Sequence, residues 1–292
     1  MLSSHTGEAT HRLLLRGSAR VRRRYRGPGP AAAERVGFST PAGLHRRPWL
    51  ARLRRALEND LFELHYQPIV SLSEGRITHW EALVRLADEP HGRLVAPASF
   101  LPAAERYGLV RDIDRLVLRR VAELLANGGE RTPTVTVNVS ALSATDGGML
   151  MEVERHIRTL GFDPSRLVLE VTETAAISDM RRARDFCEHV QRLGCAVALD
   201  DFGSGFGSFQ YLKHLPFDYL KIDGGFIRGL PSSPTDQLVV KALVGVVRGM
   251  GRRTIAEFVG DTATLRMLHD YGVDYAQGYA VGRPGARAPV AA

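Results

Sequence analysis

Lysine is almost missing from this chain. Lys213, Lys221 and Lys241 are the whole complement, against a combined lysine and arginine count of 39. Arginine therefore carries the surface positive charge, and a lysine that closes a short apolar run stands out. Cysteine is equally scarce. Cys187 and Cys195 have neither metal-ligand nor redox-pair spacing, which excludes a thiolate zinc centre and a disulfide framework. No run reaches the roughly 18 apolar residues that span a bilayer, and no secretory apolar segment is visible. These absences lead us to expect a soluble, cytoplasmic protein with reduced, structural cysteines.

The residues present include 44% hydrophobic ones, enough for a sizeable core. The formal net charge of +7 is unevenly placed. Residues 1–48 hold ten arginines and two glutamates, so the remainder is close to neutral. Residues 1–49 read as a basic, disordered tail. Electrostatic contact of that tail with membrane or nucleic acid is the alternative to a plain linker. A folded domain is expected over 50–288, near the roughly 250 residues of one α/β barrel. A short C-terminal tail, 289–292, follows.

Phe62–Val70 and Arg76–Val84 read as strands joined by a turn at 73–75. So short a link predicts a hairpin, with the first strand antiparallel to the second. Helices are expected over Ala98–Arg106, Arg111–Leu125, Met149–Leu160, Met180–Leu193, Gln237–Met250 and Thr262–Tyr271, where apolar residues recur at three- and four-residue steps. From Thr134 onward strands and helices alternate, which argues for a mostly parallel sheet. A barrel is preferred, with a doubly wound open sheet as the alternative.

Six apolar runs end on polar side chains: Asn138, Glu170, Asp200, Lys221, Glu257 and Gln277. Repeated strand–tip–helix units would bring these tips to one end of a parallel barrel. Glu81, Glu170, Asp200, Asp201 and Glu257 would then converge with Asn138. Five carboxylates cannot all ionise at one mouth without counter-charge, and Lys221 supplies only one positive charge. Oxygen donors select hard ions, Mg²⁺ or Mn²⁺, and the adjacent pair Asp200–Asp201 suits a site for two metals. Two such ions clamp a phosphorus centre for in-line attack by water. The residues thus point to a metal-dependent phosphodiesterase or phosphatase. Taken singly, each acid reads as a helix N-cap and Lys221 as a snorkelling surface lysine. Their combination argues otherwise.

Gly203-Ser-Gly205-Phe-Gly207, with Asp223 downstream, imitates a dinucleotide fingerprint. However, Ser208 occupies the third glycine's place, and two aspartates precede the loop. A loop closing over the metals fits better.

In their order, these blocks resemble the EAL-domain family of cyclic-di-GMP phosphodiesterases. The resemblance runs through Tyr66-Gln-Pro-Ile-Val70, Glu81-Ala-Leu-Val-Arg85, Phe100-Leu-Pro-Ala-Ala-Glu-Arg-Tyr-Gly-Leu109, Val137-Asn-Val-Ser140, Glu170-Val-Thr-Glu173, Asp200-Asp-Phe-Gly-Ser-Gly205, Leu212-Lys-His-Leu-Pro216, Leu220-Lys-Ile-Asp223, Ala256-Glu257 and Gln277-Gly-Tyr279. It implies a modified TIM (β/α)8 barrel with an antiparallel first strand. It also implies hydrolysis of cyclic di-GMP to linear pGpG with two Mg²⁺ or Mn²⁺ ions, and a homodimer. By position, Glu81, Asn138, Glu170 and Asp200 would hold one metal. Asp200, Asp201 and Glu257 would serve the second, with Glu257 also the general base. Lys221 would orient the nucleophile, and Gln67, Arg85 and Gln277 would position substrate. Glu173 would anchor the loop at 202–208. A catalytically silent cyclic-di-GMP-binding or protein-interaction domain is the alternative reading. Three departures from the family pattern stand out. Phe258-Val-Gly260 replaces Gly-Val-Glu, so that either Asp261 takes over a structural salt bridge or the strand end is loosened. Leu86 replaces a tryptophan on the expected substrate wall. Phe206-Gly207 replaces Tyr-Ser in the loop.

Overall fold

The computed structural model describes residues 46–88, 92–128, 132–203 and 212–287. The expected basic tail lies outside them up to residue 45. An opening helix, Arg46–Glu58, starts ahead of residue 50 and buries Leu53 and Ala56. The expected tail at 289–292 is also outside the described residues.

Among the described residues nine strands follow in chain order: β1 (Phe62–Ser71), β2 (Arg76–Asp88), β3 (Arg93–Val95), β4 (Thr134–Val139), β5 (Leu167–Thr172), β6 (Ala196–Phe202), β7 (Tyr219–Ile222), β8 (Arg253–Ala256) and β9 (Tyr275–Gln277). Their order is β1-β9-β8-β7-β6-β5-β4-β2-β3, and β1 also pairs with β2. That second pairing closes an eight-stranded barrel with β3 appended outside it, so the open-sheet alternative falls. β1 runs antiparallel to both β2 and β9, while β2 and β4 through β9 are mutually parallel. The hairpin expectation is met: Gln67 pairs with Glu81 across it.

Side chains along a strand alternate between two faces. Ile69, Val168, Ala198, Tyr219, Ile255 and Tyr275 form a core cluster of their own, and this is the barrel interior. The intervening residues Leu169, Leu199, Leu220, Ala256 and Ala276 belong to the larger core beneath the helices. Glu170, Asp200, Lys221, Glu257 and Gln277 stand two residues beyond Val168, Ala198, Tyr219, Ile255 and Tyr275 respectively. Parity thus aims every one of them into the lumen. In antiparallel β1 the count reverses, and Gln67 stands two residues before Ile69.

The helices Pro97–Arg106, Val110–Asn127, Gly148–Leu160, Met180–Arg192, Pro234–Gly249 and Thr262–Asp270 agree with the expected ones to within three residues. Side-chain caps start the short helices Ala141–Thr145, Glu173–Ser178 and Gly224–Ile227 and the helix Thr262–Asp270. Ser140 accepts from Ser143 N, Thr172 from Ala175 N, Asp223 from Gly225 N and Asp261 from Thr264 N. The caps are therefore not the acids at the strand tips. Asp261 caps the last helix. Asp223 has the same job at the short helix Gly224–Ile227, and this explains the false dinucleotide signature. Leu86 is 1% exposed and opposite Phe62 in the core, so it does not build a substrate wall. No helix among the described residues is long and apolar enough to cross a membrane.

Candidate active site

The tips meet as the parity requires. Lys221 Nζ lies 2.6 Å from Glu170 Oε2, 2.9 Å from Asp200 Oδ1, 2.9 Å from Glu257 Oε1 and 4.0 Å from Glu81 Oε1. Lys221 is 1% exposed, which disposes of the snorkelling alternative. Burial works against its charge, but Asp200, Glu170, Glu257 and Glu81 together outweigh it, holding the ammonium well above the ordinary lysine range. Glu170 moves far upward, first because of burial and then because Glu81 and Asp200 repel it, against the pull of Lys221. Glu257 is raised for the same reasons, burial foremost. Asp201 is raised by burial and by the charge of Asp200.

A chain of amides links the first strands to this ring. Asn138 Nδ2 donates to Glu81 Oε1 at 2.7 Å, and Gln277 Nε2 donates to Glu81 Oε2 at 2.5 Å and to Gln67 Oε1 at 3.3 Å. Gln67 Nε2 reaches Gly282 O at 3.2 Å. Gly278 follows Gln277 at φ 151°, where an added Cβ would lie 2.2 Å from Val259 N. Only glycine lets β9 approach the backbone beyond Glu257 so closely.

Two consecutive carboxylates should face opposite ways on a regular strand. The β6–β7 register shifts between Leu199 and Phe202, and Asp201 has φ 55°. This irregularity turns the extra residue back toward the mouth. Asp200, Asp201 and Glu257 consequently offer carboxylate oxygens all within 4.8 Å of one another. Glu173 stands apart from the ring. Its Oε2 accepts from Gly203 N at 3.0 Å, just past the end of β6. Residues 204–211, including Phe206 and Gly207, lie outside the described residues.

The donors suit divalent cations. Five carboxylates surround one ammonium, every available ligand is oxygen, and the buried Glu170 Oε1 has no hydrogen-bond partner. Above the ring opens a cavity of about 610 Å³, lined by Glu81, Asp200, Asp201, Lys221 and Glu257, by Gln67, Arg85 and Gln277, and at its rim by Arg228, Phe258 and Tyr279. Arg228 was missed at the level of sequence, because it follows the short helix Gly224–Ile227 and carries no periodic signal. Phe258 was noticed only as a departure.

A family model, the EAL domain, matches residues 50–284. The chain belongs to this family. The EAL domain is 38% identical over 239 residues to cyclic di-GMP phosphodiesterase PdeB of Shewanella oneidensis, covering 81% of this chain and 28% of that protein. It is 37% identical over 235 residues to the bifunctional diguanylate cyclase/cyclic di-GMP phosphodiesterase MucR of Pseudomonas aeruginosa, covering 80% and 34%. The chain therefore spans about a third or less of these relatives. Among solved structures, the PaMucR phosphodiesterase in complex with cyclic di-GMP superposes with a TM-score of 0.76 at 36% identity, covering 81% of this chain and 97% of that one. The Xanthomonas citri FimX EAL domain, also bound to cyclic di-GMP, gives 0.77 at 32%, covering 83% and 95%. The family is metal-dependent, and the acidic cluster such a metal needs is present here.

Proposed function

We propose that this EAL domain is an active phosphodiesterase that hydrolyses cyclic di-GMP to linear pGpG. The observation that carries the reading is the ring itself: Glu81, Asn138, Glu170, Asp200, Asp201 and Glu257 are all present and converge, and none of the oxygen donors is replaced. Glu81, Asn138, Glu170 and Asp200 would hold one Mg²⁺ or Mn²⁺. Asp200, Asp201 and Glu257 would serve the second. When bound, the ions neutralise phosphoryl charge and acidify a water.

The chain's own groups then have separate tasks. Gln67, Arg85 and Gln277 line the cavity above the ring and orient the phosphodiester. Glu257 accepts a proton from the attacking water as the water oxygen bonds to phosphorus and one P–O ester bond breaks; the departing ribose oxygen takes up a proton from solvent. Lys221 touches Asp200 and Glu257 together, fixing the spacing of the two, and its charge offsets that developing on the phosphate. Glu173 holds the end of β6 through Gly203.

The test is incubation of the purified protein with cyclic di-GMP and Mg²⁺, followed by chromatography. Appearance of pGpG supports the reading. Nucleotide binding without product would instead make this a silent cyclic-di-GMP receptor.

A further inference from the structure

On β4, Val135, Val137 and Val139 belong to the core beneath the helices. Thr136 stands between them, so its side chain takes the opposite face and enters the lumen, two residues before Asn138. It pairs with Glu81 on one side and with Val168, a lumen residue, on the other. Thr136 is 0% exposed, and its Oγ1 has no hydrogen-bond partner. An unpaired buried hydroxyl is costly, and valine would fill the same space without that cost.

A second lone atom lies on the next strand. Glu170 on β5 is buried; its Oε2 meets Lys221 Nζ, and its Oε1 has no partner. Asn138 pairs with Glu170 and Thr136 with Val168, so Thr136 and Glu170 are diagonal neighbours on one face. Long side chains reach across such a diagonal. The other acidic neighbour, Glu81, already accepts from Asn138 at Oε1 and from Gln277 at Oε2. Gln277 Oε1 also lacks a partner, but it comes from β9, three strands around the barrel from β4. The two lone atoms on adjacent strands are complementary, because a hydroxyl donates and a carboxylate oxygen accepts.

We propose that Thr136 is a positioning residue for Glu170, its hydroxyl donating to Glu170 Oε1 directly or through one buried water. The inference rests on the proposed role of Glu170 as a metal ligand and deepens it. A carboxylate ligand must be ionised when it binds, and a hydrogen bond from behind sets its orientation. Lys221 holds one oxygen of Glu170, and Thr136 holds the other. A single water satisfies two buried polar groups that stand too far apart for direct contact. Thr136 itself touches neither metal nor substrate.

Mn²⁺ binding to the nucleotide-free protein, read by electron paramagnetic resonance, provides the test. Thr136→Val keeps the shape of the side chain and removes the donor, whereas Thr136→Ser keeps the donor and removes a methyl group. Thr136→Val is expected to weaken Mn²⁺ binding about tenfold or more, the loss typical of a missing hydrogen bond behind a metal ligand. Thr136→Ser should bind within about twofold of the parent protein. A packing role predicts the reverse order, since serine leaves a gap where valine does not. Should Thr136→Val fail to fold, Thr136→Ser against Thr136→Ala carries the same comparison, because those two differ only in the hydroxyl. Serine should then bind Mn²⁺ about tenfold more tightly than alanine. Parental Mn²⁺ affinity in Thr136→Val, or equal affinities in the serine and alanine variants, would overturn the inference while pGpG formation by the parent left the proposed function intact. If the parent protein binds no Mn²⁺, the metal reading of the proposed function fails first, and this inference with it.

Discussion

Lys221 stands at the centre of the site, touching Glu170, Asp200 and Glu257 within 2.9 Å. Replacing it with methionine leaves buried carboxylates without their internal counter-charge. Lys221→Met should cost about 3–5 kcal/mol in metal-free protein. Added Mn²⁺ should then raise the melting temperature more than it does in the parent, and differential scanning calorimetry with and without metal reads both effects. Glu257→Gln removes the proton acceptor but keeps the shape, so turnover should fall about 10²–10⁴-fold while calorimetry still detects cyclic di-GMP binding. The scarcity of lysine made Lys221 visible in the sequence. Its place among the acids was expected from its strand tip, but which carboxylates it touches was not visible, because that depends on strands far apart in the chain.

At the scale of elements, the end of β6 carries the most information. Its irregular register turns both Asp200 and Asp201 to one face, and Gly203 N is held by Glu173 from the start of the helix Glu173–Ser178. Glu173→Ala should lower stability by about 1.5–3 kcal/mol, the range for a hydrogen bond to a charged acceptor. It should also lower kcat/KM, since the β6 end that presents Asp200 and Asp201 loses its tether. Urea unfolding and initial rates measure the two. The strands and helices themselves were legible from apolar spacing, with ends displaced by a few residues. The bulge was not, since a two-residue periodicity gives no sign of where it will be broken. What Asp261 and Leu86 contact was not legible for a related reason. A side chain's partner, whether a backbone N–H or a core phenylalanine, is not part of the motif that singles it out.

For the whole molecule, the end of the barrel opposite the acids is closed by His79 with Tyr219 and Tyr275, whose rings lie 5.6 and 4.7 Å from the imidazole. Burial, aided by Arg253 and Arg166, lowers the His79 pKa to about 4. The unfolded chain therefore takes up this proton first as the pH falls. His79 contributes no pH-dependent term above about 6.5, and stability is lost progressively as the pH drops from about 6.5 to about 4. His79→Phe should flatten that part of the stability–pH curve, as followed by urea midpoints at successive pH values. An equal slope in the variant would remove His79 as the cause.

Composition and periodicity by themselves determined an α/β chain of alternating strands and helices, a hairpin at its start and oxygen ligands at its strand tips, because those features depend on neighbours within a few residues. Only the tertiary structure decided that the sheet closes, that β6 turns two acids the same way, that Lys221 touches Glu170, Asp200 and Glu257 at once and that Phe258 faces the cavity. Electrostatic and stacking energies depend on distances across the barrel, and closure and register set those distances between residues that the sequence keeps far apart.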